Sequence, residues 1–311
     1  MNSIGTRFRF TSFGESHGTA IGGIIDGVPA RTIIDREYIK SQLSRRSGNG
    51  AAGTSRRAAA EKDELEWLGG VIEKDGLLIA LGSPIAFAIR NTDARSEDYD
   101  DMQDILRPGH ADYTYEQKYG IRDIRGGGRA SARETAARVV AGSIAQQILK
   151  EKGVEIKAEL SQVGNEKDPK RFDDIITQTL AAKDSIGGIV SCTITGIPVG
   201  VGEPIFDKLQ ARLAYAVMSI NGCKGFEYGT GFEGVNIKGS DIYHIDEIPC
   251  PASGGIEGGI SNGLPVSFRC VFKPTATIAA LYKGRHDACI AIRAVPVVEA
   301  MTAITLSDMV L

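Results

Sequence analysis

Residues 7–13 (Arg-Phe-Arg-Phe-Thr-Ser-Phe) alternate polar and apolar positions, the period-two pattern of a half-buried strand. A helical period follows over residues 35–46, with Ile39 and Leu43 on one face and Arg45 and Arg46 at the C-terminal end, where cations complement the helix dipole. Residues 47–57 lose periodicity and are rich in glycine, alanine and arginine, which predicts a mobile loop. Residues 65–90 read as several short strands broken at Gly69-Gly70 and Asp75-Gly76.

The clearest helix begins near Ser131. Ser131-Ala132-Arg133-Glu134 has the form of a capping box, in which the serine hydroxyl and the glutamate carboxylate each satisfy an amide of the first turn. Ala136, Val140, Ile144 and Ile148 then supply an apolar face to about Lys152. Asp168-Pro169 predicts a second capped start, with proline at the first helical position. Further on, residues 188–195 and 265–273 read as strands, and residues 207–220 and 297–310 as helices.

Residues 22–29 (GGIIDGVP) echo residues 258–265 (GGISNGLP), each ending in a turn signal, which hints at two similar βα halves. No proline-rich linker or charge run divides the chain. The expectation is one composite α+β domain over residues 1–311.

Composition narrows the function. With 42% hydrophobic and 24% charged residues, the chain can bury a substantial core. Its net charge of −3 gives no global field for nucleic acid or an anionic membrane, so an anionic ligand must be held by a local basic cluster. No stretch approaches the roughly 20 apolar residues of a membrane span, and the N-terminus lacks the pattern of a signal peptide. Five scattered cysteines, never paired as CxxC, point to thiols in a reducing compartment, hence to the cytoplasm.

Three of the four histidines stand beside glycine, arginine or aspartate: His17 in FGESHG, His110 in RPGHAD and His286 in KGRHD; His244 reads as structural. A histidine on a glycine-flanked loop can pass a proton near neutrality, or serve only as a hydrogen-bonding surface residue. No HxH, HExxH or Cys–His cluster supports a zinc site. Residues 121–133 place Gly126-Gly127-Gly128 and four arginines ahead of the helix, a cluster of amides and planar cations suited to phosphate or carboxylate, or a solvated basic loop. The segment is neither a Walker A loop nor a GxGxxG turn, which disfavours nucleotide hydrolysis and a Rossmann site. Arginines that bind and histidines that move protons suit elimination from a small phosphorylated acid.

Six stretches in order, FGESHG (13–18), RPGHADYTYEQKYGIRDIRGGGRASARET (107–135), MSINGCKG (218–225), GGIEGGISNG (254–263), KPTATI (273–278) and GRHDACIAIRAVPVVEAM (284–301), resemble the chorismate synthase family over nearly the whole chain. The resemblance implies a β-α-β sandwich and a homotetramer. It also implies an anti-1,4-elimination of phosphate from 5-enolpyruvylshikimate 3-phosphate, with reduced FMN (FMNH2) required without net redox change and a reductant such as NADPH supplied externally. On it, His17 is the acid to the leaving phosphate, His110 protonates the reduced flavin, Asp287 works beside flavin N5, and Ser16 and Ser131 relay protons. Arg129, Ala130, Ser131, Asn221, Gly222, Gly258, Lys273, Pro274, Thr275, Ala276, Thr277 and Arg285 fall on flavin-contacting positions; Arg46, Arg107 and Arg133 fall on substrate or nicotinamide-phosphate positions. The chain departs from the family pattern at Ala130 (usually serine), Ala288 (usually proline), Ala51-Ala52 (where an arginine is usual) and the short connection 278–283.

Overall fold

The computed structural model describes residues 1–48, 63–92, 105–278, 280 and 287–311. Alternation sets the first sheet. In β2 (Arg9–Phe13) Phe10 and Ser12 point inward and their neighbours outward, as the period-two pattern predicts. β2 pairs antiparallel with β1 (Ser3–Ile4) and β3 (Ala20–Asp26); β3 pairs with β8 (Ile85–Arg90), and β8 with β5 (Leu65–Gly69). The predicted breaks at Gly70 and Asp75-Gly76 are real, and they route the chain into a second antiparallel sheet of β4 (Ile33–Ile34), β7 (Leu77–Ala80) and β6 (Val71–Lys74).

The C-terminal half builds a four-stranded antiparallel sheet in the order β11 (Cys223–Tyr228), β14 (Val266–Phe272), β10 (Gly188–Thr195), β9 (Glu155–Val163). Val266, Phe268, Cys270 and Phe272 of β14 point inward beside Val190, Cys192 and Ile194 of β10. A two-stranded hairpin, β12 (Ile256–Glu257) and β13 (Ile260–Ser261), precedes β14. The echo between 22–29 and 258–265 does not survive folding. The first stretch runs along β3 in the middle of a sheet, whereas the second is this hairpin and the approach to β14.

Between the five- and four-stranded sheets lie two long helices, α3 (Thr135–Glu151) and α6 (Ala291–Val310), packed on each other. α3 also meets β3, and α6 meets β9 and β10, giving sheet, helix and sheet layers over one continuous core. The two helices come close because residue 142 is glycine: a Cβ there would lie 2.3 Å from Ala300 Cα. With protein on every side, α6 buries polar positions as well, so its pattern alone understates its extent. It starts six residues before the expected Val297 and carries Pro296 inside.

Only the serine half of the capping box forms: Ser131 Oγ accepts from the Arg133 amide at 3.3 Å, but Glu134 does not return to the Ser131 amide. The Ser131 N–H donates to the Gly128 carbonyl, Ala132–Glu134 is a 3-10 turn, and Glu134 pairs with Arg138 at 2.9 Å, so the α-helix begins at Thr135. Of two further caps, the one at Asp168 was expected and the one at Asp35 was not. Asp35 accepts from the Tyr38 amide at 2.9 Å to start α1 (Arg36–Ser47), and Asp168 accepts from the Lys170 amide before α4 (Phe172–Ala181). The expected helix over 207–220 is α5 (Leu209–Met218). Most of the loop expected over 47–57 lies outside the described residues. Among the described residues no helix is long and apolar enough to cross a membrane.

Candidate active site

Five connections meet at one place: the β2–β3 turn, the segment before α3, the α5–β11 connection, the residues after β14 and those before α6. They enclose a cavity of about 620 Å³, within the range of small-molecule sites. Among the described residues six cationic side chains line it, Arg107, Arg129, Arg133, Arg138, Lys273 and Arg293, against two carboxylates, Glu134 and Asp287. A protein of net charge −3 thus concentrates positive charge where an anion would bind.

The glycine run explains itself here. Gly126 and Gly127 have φ of +64° and +88°, a region that L side chains seldom adopt. A Cβ on Gly126 would lie 2.2 Å from His17 Cε1, and one on Gly127 would lie 2.5 Å from His110 Cε1. Two histidines about ninety residues apart in sequence therefore rest on adjacent glycines. His17 Nδ1 lies 3.0 Å from the hydroxyl of Ser16, which is fully buried behind it.

His110 is tied to a buried carboxylate. Its Nδ1 lies 2.7 Å from Asp112 Oδ1, and Arg107 donates to the same carboxylate through its amide, Nε and Nη2. Burial by itself would raise the Asp112 carboxyl; the hydrogen bonds from Arg107 and His110 outweigh it and hold the group well below the ordinary carboxylate range. Asp112 is the first residue of α2 (Asp112–Tyr119), where the helix dipole also favours negative charge.

Arg129 is held to β2 and the turn after it, donating to Ser12 Oγ at 2.6 Å and the Gly14 carbonyl at 3.1 Å. Asn221 donates to the carbonyls of Arg129 and Ser131 and so fixes the 129–131 turn. Arg133 bonds Asp63, and its Nε donates to Asn91 at 3.0 Å. On the opposite wall, Lys273 donates to the Gly109 carbonyl, while burial first and the charge of Lys224 second push its ammonium below the usual lysine value. Thr275 Oγ1 donates to the Asp287 carbonyl at 2.7 Å, and Arg293 Nη1 donates to its carboxylate at 2.8 Å.

Of the residues singled out in the sequence, His17, His110, Asp287, Ser131, Arg107, Arg129, Ala130, Arg133, Asn221, Gly222 and residues 273–277 lie on the cavity wall. Ser16 lies behind His17. Arg46 is not on the wall: it is 1% exposed, its guanidinium bonds Asp63 at 3.1 Å, and its carbonyl accepts from Arg293 Nε at 2.9 Å. It sits behind Arg133, across the shared Asp63. Gly258 sits in the exposed β12–β13 turn, off the wall. His244 is exposed and also off it. Arg285 and His286 lie outside the described residues. Sequence reasoning missed Tyr115, Arg138, Ser219 and Arg293 on the wall. Arg293 sits in the quoted RAVP stretch, and that placement was the only signal for it.

The wall also suits a flavin nucleotide. Pro274, Ala276, Ala132 and Ile290 give it apolar surface, and Arg129, Asn221, Lys273, Thr275 and Thr277 bring polar groups beside it.

The chorismate synthase family profile matches residues 8–311. A chorismate synthase of Cytophaga hutchinsonii is 47% identical over 354 residues, covering 99% of this chain and 96% of that protein. One of Christiangramia forsetii is 46% identical over 350 residues, with 99% and 96% covered. A crystal structure of chorismate synthase superposes with a TM-score of 0.75 at 29% identity, covering 98% of this chain and 92% of that one. Matches of this extent in sequence and in fold place the chain in one family: it belongs to the chorismate synthases.

Proposed function

We propose that this chain, as a single domain over residues 1–311, carries out its family's reaction in the cavity described above. It is a carbon–oxygen lyase of the shikimate pathway, eliminating phosphate from 5-enolpyruvylshikimate 3-phosphate to leave chorismate. The observation that carries the assignment of the site is the seating of His17 and His110 on adjacent glycines, in a cavity lined by six described cationic side chains.

The residues divide the work by chemistry. Arg107 and Arg133 remain charged throughout and hold the substrate's phosphate and carboxylate without consuming protons. His17, backed by Ser16, gives a proton to the leaving phosphate oxygen. His110 holds a proton at the opposite side of the glycine pair. Asp287, held by Arg293 and Thr275, presents a carboxylate that would work beside N5 of the bound flavin. Arg129, Asn221, Lys273, Thr275 and Thr277 would hold reduced FMN, whose role when bound is to lend electron density to the elimination. Ala288, in place of the usual proline, does not leave Asp287 unsupported, since its own carbonyl accepts from the Ile186 amide at 2.8 Å.

The reading extends to a cytoplasmic homotetramer supplied with reduced flavin by an external reductant such as NADPH. An anaerobic assay with dithionite-reduced FMN tests the reaction, following chorismate absorbance and phosphate release together. Equal, flavin-dependent release of both products is expected. Binding without either product would overturn the reading.

A further inference from the structure

A carboxylate that never reaches the cavity organises two groups that do. The Asp112 side chain is 2% exposed. Its Oδ2 accepts from the Arg107 amide at 3.1 Å and from Arg107 Nε at 2.7 Å; its Oδ1 accepts from Arg107 Nη2 at 2.9 Å and lies 2.7 Å from His110 Nδ1. Arg122 Nη1 stands 3.8 Å from Oδ1, so every polar group recorded against this carboxylate is a donor or a cation.

An ionised carboxylate only accepts. At 2.7 Å from it, His110 Nδ1 must carry a proton, because two acceptors at that distance would repel. Arg107 Nη2, 3.0 Å from the same nitrogen, then directs its hydrogen to Oδ1. Nε2 is left as the ring nitrogen whose protonation can change, and it is the nitrogen that packs by Gly127 on the cavity wall. The same carboxylate clamps the Arg107 fork through Nε and Nη2, leaving Nη1, 3.4 Å from Thr277 Oγ1, for the cavity.

We infer that Asp112 is a positioning residue for the elimination, locking His110 with its Nδ1 protonated and its Nε2 at the cavity while fixing the Arg107 guanidinium beside it. The inference rests on the reaction proposed above. Asparagine is the informative substitute. It keeps the shape, but its amide arm would meet either Arg107 or Nδ1 with a second donor, and facing Nδ1 it favours the tautomer protonated at Nε2.

The test reads the tautomer directly in the full-length protein. Long-range ¹H–¹⁵N correlation on [¹⁵N]histidine-labelled protein resolves four histidines, with His110 assigned through His110→Gln. Wild type should show His110 protonated at Nδ1, and Asp112→Asn should show it protonated at Nε2, with kcat lowered on the order of 10²-fold, the low end of a lost acid–base function. In the His110→Gln background Asp112→Asn should lower kcat far less than in wild type, what remains being the loosened Arg107, read as a raised KM. A neutral wild-type His110 protonated at Nε2, or wild-type kcat in Asp112→Asn, overturns the inference. If Asp112→Asn does not fold, the wild-type spectrum alone decides it. Failure of the proposed reaction shows separately, as wild-type protein inert in the anaerobic assay.

Discussion

The two walls of the cavity use the same ion-pair chemistry with opposite polarity. On the wall before α3, the carboxylate of Asp112 is buried and the groups presented are a guanidinium and an imidazole, Arg107 and His110. On the wall before α6, Arg293 is the anchor, tied to the Arg46 carbonyl, and the group presented is the carboxylate of Asp287. A buried ion-pair partner fixes the presented charge in each case, but Asp112 lies off the cavity whereas Arg293 reaches its wall beside the carboxylate it holds. The first wall depends on backbone shape as well, because both histidines need glycine beneath them. The second relies on side-chain bonds.

That difference predicts the most damaging single change on the first wall. Gly126→Ala would place a methyl group 2.2 Å from His17 Cε1 and 3.1 Å from Ser16 Oγ, on backbone already at φ +64°. Elimination should slow on the order of 10³-fold, in the middle of the range for a lost acid–base group. Steady-state rates, with circular dichroism to verify folding, measure it. Activity within a few-fold of wild type would mean that the histidine seat is not needed. On the second wall, Asp287→Ala should slow elimination on the order of 10²-fold with little change in KM. Arg293→Gln should follow it in kcat at a smaller cost, and a normal kcat in Arg293→Gln would break the claim that side-chain bonds hold that wall.

How much of this was legible in the chain depends on how local each signal is. The period-two run through Phe10 and Ser12, the helical period over residues 35–46, the cap at Asp168 and the strand over residues 188–195 each announce themselves within a few residues, and all are present. Ser131 does cap its turn, but the other half of the capping box, also a local signal, misled, because the Gly128 carbonyl took the amide that Glu134 was expected to serve. Asp63 was invisible for the opposite reason: it bridges Arg46 and Arg133, 17 and 70 residues away, and nothing near it marks the pairing. β3, with its Gly22-Gly23 pair, lacks clean alternation because it is interior to its sheet and packed on α3, where neighbours rather than pattern decide burial. β9 does alternate over residues 155–160 and was legible, though sequence reasoning passed over it. The histidines and the glycine run were readable as chemistry, whereas their contact was readable only in space.

The bridge through Asp63 sharpens the comparison by separating binding from proton movement. Arg133→Ala removes a wall cation but no proposed proton carrier, so KM for the substrate should rise about 10-fold, the low end for a charged hydrogen bond, while kcat changes less. An unchanged KM would remove Arg133 from the binding role and leave it as scaffold for Asn91 and Asp63.

The smallest effect expected belongs to Lys273, the cation that joins the walls through the Gly109 carbonyl. Burial and the Lys224 charge lower its ammonium below the ordinary value, so the proton is lost earlier as pH rises than from a solvent-exposed lysine. Affinity for the anionic phosphate of FMN should therefore weaken on the alkaline side in wild type, by about two- to fivefold, the worth of a partly exposed ion pair. Lys273→Arg stays charged over the same interval and should hold its affinity flat. Titration of FMN fluorescence from neutral pH into the alkaline range measures both profiles. Parallel profiles would show that Lys273 secures the junction of the walls through its bond to Gly109 and contributes no charge to the ligand, leaving the arginines to hold the anion alone.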